Sequence, residues 1–397
     1  MKTILSKFVP QHTLRLETQP GEARDSVMSE WRRLEAAIGE VGLSCSADWT
    51  EAWLKAYGDL VPHQFVTVRD LDTRRLVGIC LVTEGVAQKD GPLSIRTLHI
   101  GTAGEPEADS ACVEYNRLFV MPGHEREFAA LIVEYLESRS GFDQWNLDGF
   151  ADADLSVFLA DSTDSNAVPK TLTVAQGQRA AGTLELIRES AHWFDLQTTR
   201  ETGRDVLSEL RSSTRRKVKR SLESYGTIKV EFADSLGSAT EMFGELMELH
   251  QARWNAVGKP GSYSSDRFIR FHEELLSRLV PQKRMAFVRV QSDGLTLGCV
   301  QLLIEQNRAL LYQCGYVPAE GRQSPGVVVD YLTMSSCFER GFDAYDFLAF
   351  PTQHKRHLSN ACHDIVWAQR RHPRFKFMAL DRVRRIKKLL KRHPKGR

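Results

Sequence analysis

Ten residues at Gly141–Phe150, GFDQWNLDGF, return as GFDAYDFLAF at Gly341–Phe350. The Gly, Phe and Asp, an aromatic, an Asn or Asp, an apolar residue and the closing Phe all fall in step. Upstream, VRDLDTRRLVGIC (Val68–Cys80) answers VRVQSDGLTLGC (Val288–Cys299), each reading as strand, polar turn and second strand. Between these blocks, Pro122-Gly123 and Pro325-Gly326 each precede a segment of helical period that runs into the GFD motif. Three matches in one order imply two copies of one α/β unit. Each copy is expected to run helix, hairpin strands, a further strand, Pro-Gly, helix, strand, with the further strands on Val113–Val120 and Arg308–Val317. The expected division is a first unit at 1–159, a linker at 160–183 rich in Ser, Thr, Gly and Ala, a second unit at 184–375 and a basic tail at 376–397. The fold class is therefore α/β with mixed sheets, built as a tandem repeat.

Charge narrows the function. The chain is +2 overall, but residues 370–397 hold thirteen Lys or Arg against Asp381 alone, so a +12 tail follows a −10 body. A protein dedicated to duplex nucleic acid spreads positive charge over its binding domain instead. The second unit opens with LRSSTRRKVKRSLESYG (Leu210–Gly226). Ser212 or Ser213 is expected to cap a helix there, and Gly226 to end it. Val218, Leu222 and Tyr225 form an apolar stripe, which leaves the basic residues on the remaining faces. A solvated surface helix and a contact to substrate phosphates both fit. The tail places Val383, Ile386, Leu389 and Leu390 on one helical side. Contact with an anionic membrane, docking on the acidic body and simple solvation all suit it. No apolar run approaches a membrane span or a secretory signal, and seven scattered cysteines without CxxC read as reduced thiols. A cytoplasmic protein, peripheral at most at the inner membrane face, is the expectation.

Three segments concentrate chemistry. GYVPAEGRQSPGVVVDYL (Gly315–Leu332) leads from a strand through a loop into a helix starting near Pro325, where free N–H groups and the helix dipole favour an anion. The first copy instead places Glu125 and Glu127 in that turn, which would repel a phosphate. In SATEMFGELMELHQARWNAVG, Ser238 and Glu241 suggest a capping box, and His250 shares an apolar face with Leu246 and Trp254. His250 is there either as a hydrogen-bonded core residue or as a base titrating near neutral pH, with Arg253 and Trp254 beside it as substrate-binding candidates. DFLAFPTQHKRHLSN gathers Asp346, His354 and Lys355 where a strand gives way to a loop. With Cys362 and His363 it matches no familiar zinc spacing, so no metal is expected. The absence of GxSxG, a Walker loop and HExxH argues against the common hydrolase, NTPase and zincin mechanisms.

Taken in order, GICLV, EYNRLFVMPG, LHQARW, RQSPG and DFLAFPTQHK resemble the CelD-like branch of the GNAT acyltransferases, named for cellulose biosynthesis, from about Ser44 to Trp367. That branch is similar to the Fem-type transferases, two GNAT units side by side. The resemblance implies acyl-CoA, acetyl-CoA above all, in the second unit, with pantetheine beside Tyr312 and Gln313. The pyrophosphate would lie at Arg322, Gln323, Ser324, Gly326 and Val328. It implies transfer to an amine or hydroxyl on a small-molecule or saccharide acceptor, in polysaccharide or cell-envelope biosynthesis. His250 is then the base, His354 the acid and Asp346 an orienting group, with strand N–H groups from Tyr312–Gly315 for the thioester oxygen. Where the family shows Gly and then Tyr-Lys after DFL, this chain has Phe350 and His354-Lys355. A catalytic Tyr is not carried over; His354 replaces it or the site is altered. The long helical arm of the tRNA-dependent Fem-type enzymes is absent, which disfavours aminoacyl-tRNA as donor. A degenerate binding subunit of an exopolysaccharide apparatus is the rival reading.

Overall fold

The structure, a computed structural model, describes residues 13–90, 93–152, 154–156, 184–318, 324–379 and 382–383. The expected linker and most of the expected tail lie outside these residues. The first unit comprises β1 (Leu14–Pro20), α1 (Arg24–Ile38), α2 (Ala47–Tyr57), β2 (His63–Asp70) and β3 (Leu76–Glu84). A small ribbon of β4 (Gln88–Asp90) and β5 (Leu93–Ile95) follows, then β6 (Thr97–Ile100), α3 (Glu125–Ser138) and β7 (Gln144–Ala151). The chain continues through β8 (Leu184–Asp195) and the short helices α4 (Leu196–Glu201) and α5 (Val206–Glu209) to α6 (Ser212–Leu222). The second unit proper repeats the first: β9 (Ile228–Phe232), α7 (Leu236–Ala256), α8 (Asp266–Leu279), β10 (Met285–Ser292), β11 (Leu295–Glu305) and β12 (Arg308–Tyr316). It closes with α9 (Pro325–Glu339), β13 (Ala344–Asp346), α10 (Gln353–His357) and β14 (Ala361–Arg371).

The two units share one twelve-stranded sheet in the order β1-β2-β3-β6-β7-β14-β8-β13-β12-β11-β10-β9. Each contributes an antiparallel meander ending in a parallel pair, β6 with β7 and β12 with β13. The central strands are exchanged. β8, which follows the first unit in sequence, pairs with β13, while β14, which follows the second, pairs with β7; the two meet antiparallel in the middle. Neither unit therefore completes its sheet without the other. On one face α1, α2, α7 and α8 build a single core shared by both units. Arg278 of α8 bridges to Glu51 (2.6 Å) and Asp48 (3.4 Å) of the first unit. On the opposite face α3 covers one half, and α9 with α6 covers the other.

The stripe on α6 behaves as its period requires, with Val218 and Tyr225 buried and Leu222 half-buried. Its start differs from expectation: Arg211 is the N-cap and neither serine caps it. On α7 the capping box forms three residues earlier, between Ser235 and Ser238, because Ser235 holds the extended backbone that lets its Oγ accept the Ser238 N–H. Glu241 pairs instead with Arg289 at 2.8 Å.

The larger difference lies in the further strand of the first unit. The sheet there takes Thr97–Ile100, and within Val113–Val120 only Asn116 and Val120 form isolated bridges. The chain leaves the sheet after Ile100 and returns beside β3 at Phe119–Met121, where Ile79 N–H donates to Phe119 O (3.0 Å) and Met121 N–H to Val77 O (2.7 Å). Ile100 faces Val82, two residues from the end of β3, just as Leu310 faces Leu303, two from the end of β11. Residues 101–118 are thus an excursion leaving the sheet where β12 has a β-bulge. In β12, Leu302 faces Leu311 and Gln301 faces Gln313, so Tyr312 has no partner across the ladder.

Candidate active site

β12 and β13 pair only over Arg308–Leu310 with Ala344–Asp346. Beyond Asp346 the chain turns away, and the edge of β12 from Leu311 to Tyr316 is left without a strand beside it. A cleft of about 680 Å³ opens along this edge. Leu311, Cys314 and Tyr316 form its floor, the start of α9 at Ser324–Val327 one end, and α10 a wall carrying His354 and Lys355. Lys217 of α6 and Arg253 of α7 reach the same space, and neither has a carboxylate partner among the described residues. An acid-free helix start, bare strand edge and two cations without a carboxylate partner among the described residues suit a long anionic chain ending in phosphates. A Cβ on Gly326 would stand 3.1 Å from the Tyr316 ring, so a larger residue there would press on the ring.

The polar groups in the cleft are held by one buried carboxylate. Asp330, on the inner side of α9 and 1 % exposed, accepts from Tyr316 Oη at 2.5 Å and pairs with His354 Nε2 at 2.5 Å. Nε2 therefore carries a hydrogen, and Nδ1 is left without a partner among the described residues. Burial and the adjacent Asp330 raise Tyr316 well above the ordinary phenol range, so it stays a donor. Lys355 Nζ donates to Ala349 O at 2.6 Å; burial lowers its pKa, and Glu114 opposes that shift.

On the other face of the gap lies a chamber of about 20 Å³, lined by Leu310 and Tyr312 of β12, Leu348, and Cys112, Glu114 and Tyr115 of the excursion. Leu311 and Phe347 face the cleft while Leu310, Tyr312 and Leu348 face the chamber, so the two spaces lie on opposite faces of the gap between β12 and the 347–349 segment. Glu114 Oε2 accepts the Ala349 N–H at 2.7 Å, and burial pushes its carboxyl up to about 7. Asp346, fully buried, accepts from Tyr115 Oη (2.5 Å), Arg308 Nη2 (2.6 Å) and the Leu348 N–H (2.8 Å). The backbone is left-handed at Cys112, Tyr115, Leu348 and Phe350, a concentration of strained positions at this one junction.

The first unit has no such gap. Asn116 of the excursion joins the ends of β6 and β7, donating from its N–H to Gly149 O (2.8 Å) and from Nδ2 to Ile100 O (3.3 Å). A Cβ on Gly149 would come within 2.2 Å of Val113 O, so this close approach needs glycine. Trp49 Nε1–H to Thr102 Oγ1 (2.8 Å), Tyr57 Oη–H to Asp109 O (2.8 Å) and Ala111 N–H to Glu105 (2.8 Å) pin the rest. At the start of α3, Glu125 accepts the Gly123 N–H at 2.9 Å, which fills the place an anion would need.

Among the residues singled out from sequence, Ser324, Gly326, Arg253, His354 and Lys355 meet in the cleft, and Tyr312 lines the chamber with its hydroxyl on Ala111 O. Gln313 lies in the ladder opposite Gln301. Arg322 and Gln323 lie outside the described residues. Val328 is fully buried in the core under the sheet and does not line the cleft. Asp346 is at the junction rather than in the cleft. His250 sits apart from both spaces: its Nε2 accepts from Trp254 Nε1–H (2.9 Å), its Nδ1 meets Gln251 Oε1 (3.2 Å), and burial lowers its pKa. Trp254 is thereby tied to His250 and also lies outside the cleft lining. Asp330, Lys217, Glu114 and Tyr115 were not singled out as site residues. Asp330 carries a signal, an acid one turn into an apolar helix start; Glu114 and Tyr115 carry none, because their partners are more than two hundred residues away. Among the described residues no cluster of His, Cys, Asp or Glu is arranged to hold a metal, and no helix is long and apolar enough to cross a membrane.

Two GNAT-like units in tandem, one with an open cleft, define the class of fold. Residues 208–356, within the second unit, match the family model described as Acetyltransferase (GNAT) domain. No curated protein matches the chain. Among solved structures, it resembles FemX at 12% identity and TM-score 0.52, over 86% of this chain and 95% of that one. It also resembles the C-terminal domain (DUF2156) of a putative lysylphosphatidylglycerol synthetase from Agrobacterium fabrum at 10% identity and TM-score 0.51, over 91% and 96%. A tandem GNAT protein from the clavulanic acid biosynthesis pathway has 13% identity and TM-score 0.44, over 89% and 98%.

Proposed function

We propose that the second unit transfers an acyl group, acetyl in the first instance, from acyl-CoA to an amine or hydroxyl on a small-molecule or saccharide acceptor. The observation that carries this reading is the bare edge of β12 facing a 680 Å³ cleft that ends at the acid-free start of α9. Pantetheine amides would take the place of the missing strand, and the phosphates would lie near Gly326 with Lys217 and Arg253. The thioester would reach the bulge at Tyr312, where a backbone N–H of β12 would be the donor for the developing oxyanion. The acceptor's lone pair forms the bond to the acyl carbon, the carbon–sulfur bond breaks, and its electron pair leaves with sulfur. His354, held at Nε2 by Asp330, would supply from Nδ1, as the imidazolium, the proton that the thiolate takes. The resemblance of its motifs to the CelD-like branch supports a role in polysaccharide or cell-envelope synthesis, and the acidic body disfavours duplex nucleic acid as a partner.

Titration calorimetry with CoA, followed by free-thiol release from acetyl-CoA with amines and saccharides, tests the reading. Micromolar CoA binding and acceptor-dependent thiol release are expected. Absence of CoA binding would contradict it.

A further inference from the structure

We propose that the first unit lends the second its acceptor-side proton acceptor: Glu114, carried across by the 101–118 excursion into the chamber behind the β12 bulge. This rests on the acyl transfer proposed above and names the residue that receives the acceptor's proton.

Glu114 lines the chamber with Leu310, Tyr312 and Leu348, on the opposite side of the gap from His354 and Lys355, so donor and acceptor enter from opposite faces. A space of about 20 Å³ admits a group the size of one water, hence the tip of a primary amine or hydroxyl and not a whole acceptor. The carboxylate is fixed there by the Ala349 N–H on Oε2, and Oε1 has no hydrogen-bond partner among the described residues. The peptide of Ala349 lies between Glu114 on its N–H and Lys355 on the carbonyl. The charged or titratable groups facing Glu114 are Lys355 from α10, Asp346 from β13, and Cys112, Tyr115, Glu305 and Tyr312 around the chamber. Burial, with Asp346 nearby, raises the carboxyl toward neutrality, which suits a base working near pH 7. The alternative base, His250, has both ring nitrogens engaged and lies outside the gap.

The step balances. The acceptor nitrogen bonds to the acyl carbon and the thiolate departs. The acceptor's proton passes to Glu114 Oε1, while His354 protonates sulfur. The exchange of β8 and β14 and the anchoring of Tyr115 on Asp346 then have a functional reading: they hold the excursion in register with the second unit's gap.

The test compares the full chain with Glu114→Gln and Glu114→Asp, following thiol release from acetyl-CoA with two probe acceptors. Propylamine is a cation at neutral pH and must lose a proton; hydroxylamine is already neutral and depends less on a base. For Glu114→Gln the expected loss of kcat is about 100-fold or more with propylamine and under about tenfold with hydroxylamine. The acid limb of its pH profile should also disappear, and Glu114→Asp should recover part of the propylamine rate. CoA affinity, measured by calorimetry, should stay within about twofold of wild type. Equal losses with both amines, or an unchanged pH profile, would overturn the proposal. CoA binding to the wild type with no transfer to either amine would overturn it while leaving the cleft intact, and no CoA binding would overturn both.

Discussion

β12 runs nine residues and keeps a bare edge past Leu310, whereas the matching stretch of the first unit is the four residues of β6 and a chain that doubles back into its own gap. The same repeat thus gives one half an opening and the other a plug. The difference turns on a single place in the register. One extra residue at Tyr312 puts a bulge in β12 and has no partner across the ladder, while eighteen at 101–118 fill the first gap and reach the second. The helix starts diverge in the same sense. Glu125 satisfies the first from within, while the second, at Pro325-Gly326, carries no acid in its first turn. A duplicated fold can keep both copies of its scaffold and an open gap in only one, with the other copy's loop packed against that gap.

Replacing groups of the open half should have the largest effect. His354→Gln is expected to cut turnover by about 100-fold or more with little change in CoA affinity, because only the proton transfer is removed. Stopped-turnover assays alongside calorimetry separate the two. Gly326→Glu should weaken CoA by at least about tenfold, since a carboxylate beside phosphates repels them. Glu125→Gln, at the equivalent helix start of the first unit, should leave CoA affinity unchanged by calorimetry. If that substitution alters it, the two starts are not as different as their geometry indicates.

The junction offers a smaller effect. Tyr115→Phe removes one of three donors to the fully buried Asp346 and should cost about 1–3 kcal/mol in denaturant unfolding. A loss well under that would mean the excursion is not anchored as described. Smallest is a pH effect on stability. Burial holds the Glu114 pKa at about 7, above its value of 4.5 in an exposed chain, so the folded state binds the proton more readily and stability falls as pH rises through this window. Glu114→Gln should therefore raise the melting temperature by a few degrees at pH 8 and by little at pH 4. An equal shift at both would contradict the burial.

Much of this was legible in the chain. The GFD blocks mark β7 and β13, the hairpin blocks mark β2–β3 and β10–β11, and Pro325-Gly326 marks the start of α9 to the residue. The excursion was not, because VEYNRLFV carries a strand-like pattern and TLHI is too short to compete with it. Only the long-range pairing of β6 with β3 and β7 selects between them. His250 shows the same limit at the site. Its place on an apolar face was readable, as was Trp254 one turn on, but that their nitrogens meet depends on rotamers. Glu114 has its partner at residue 349, and no local pattern reports a contact of that span.

Hydrogen exchange of the full chain with and without saturating CoA tests the division of labour most directly. One CoA per chain is expected, with protection rising along Leu311–Tyr316, at the start of α9 and in α10, and no change at Pro122–Phe128. Two CoA per chain, or protection at the Glu125 helix start comparable to that at Gly326, would contradict the claim that only the second unit keeps an open site.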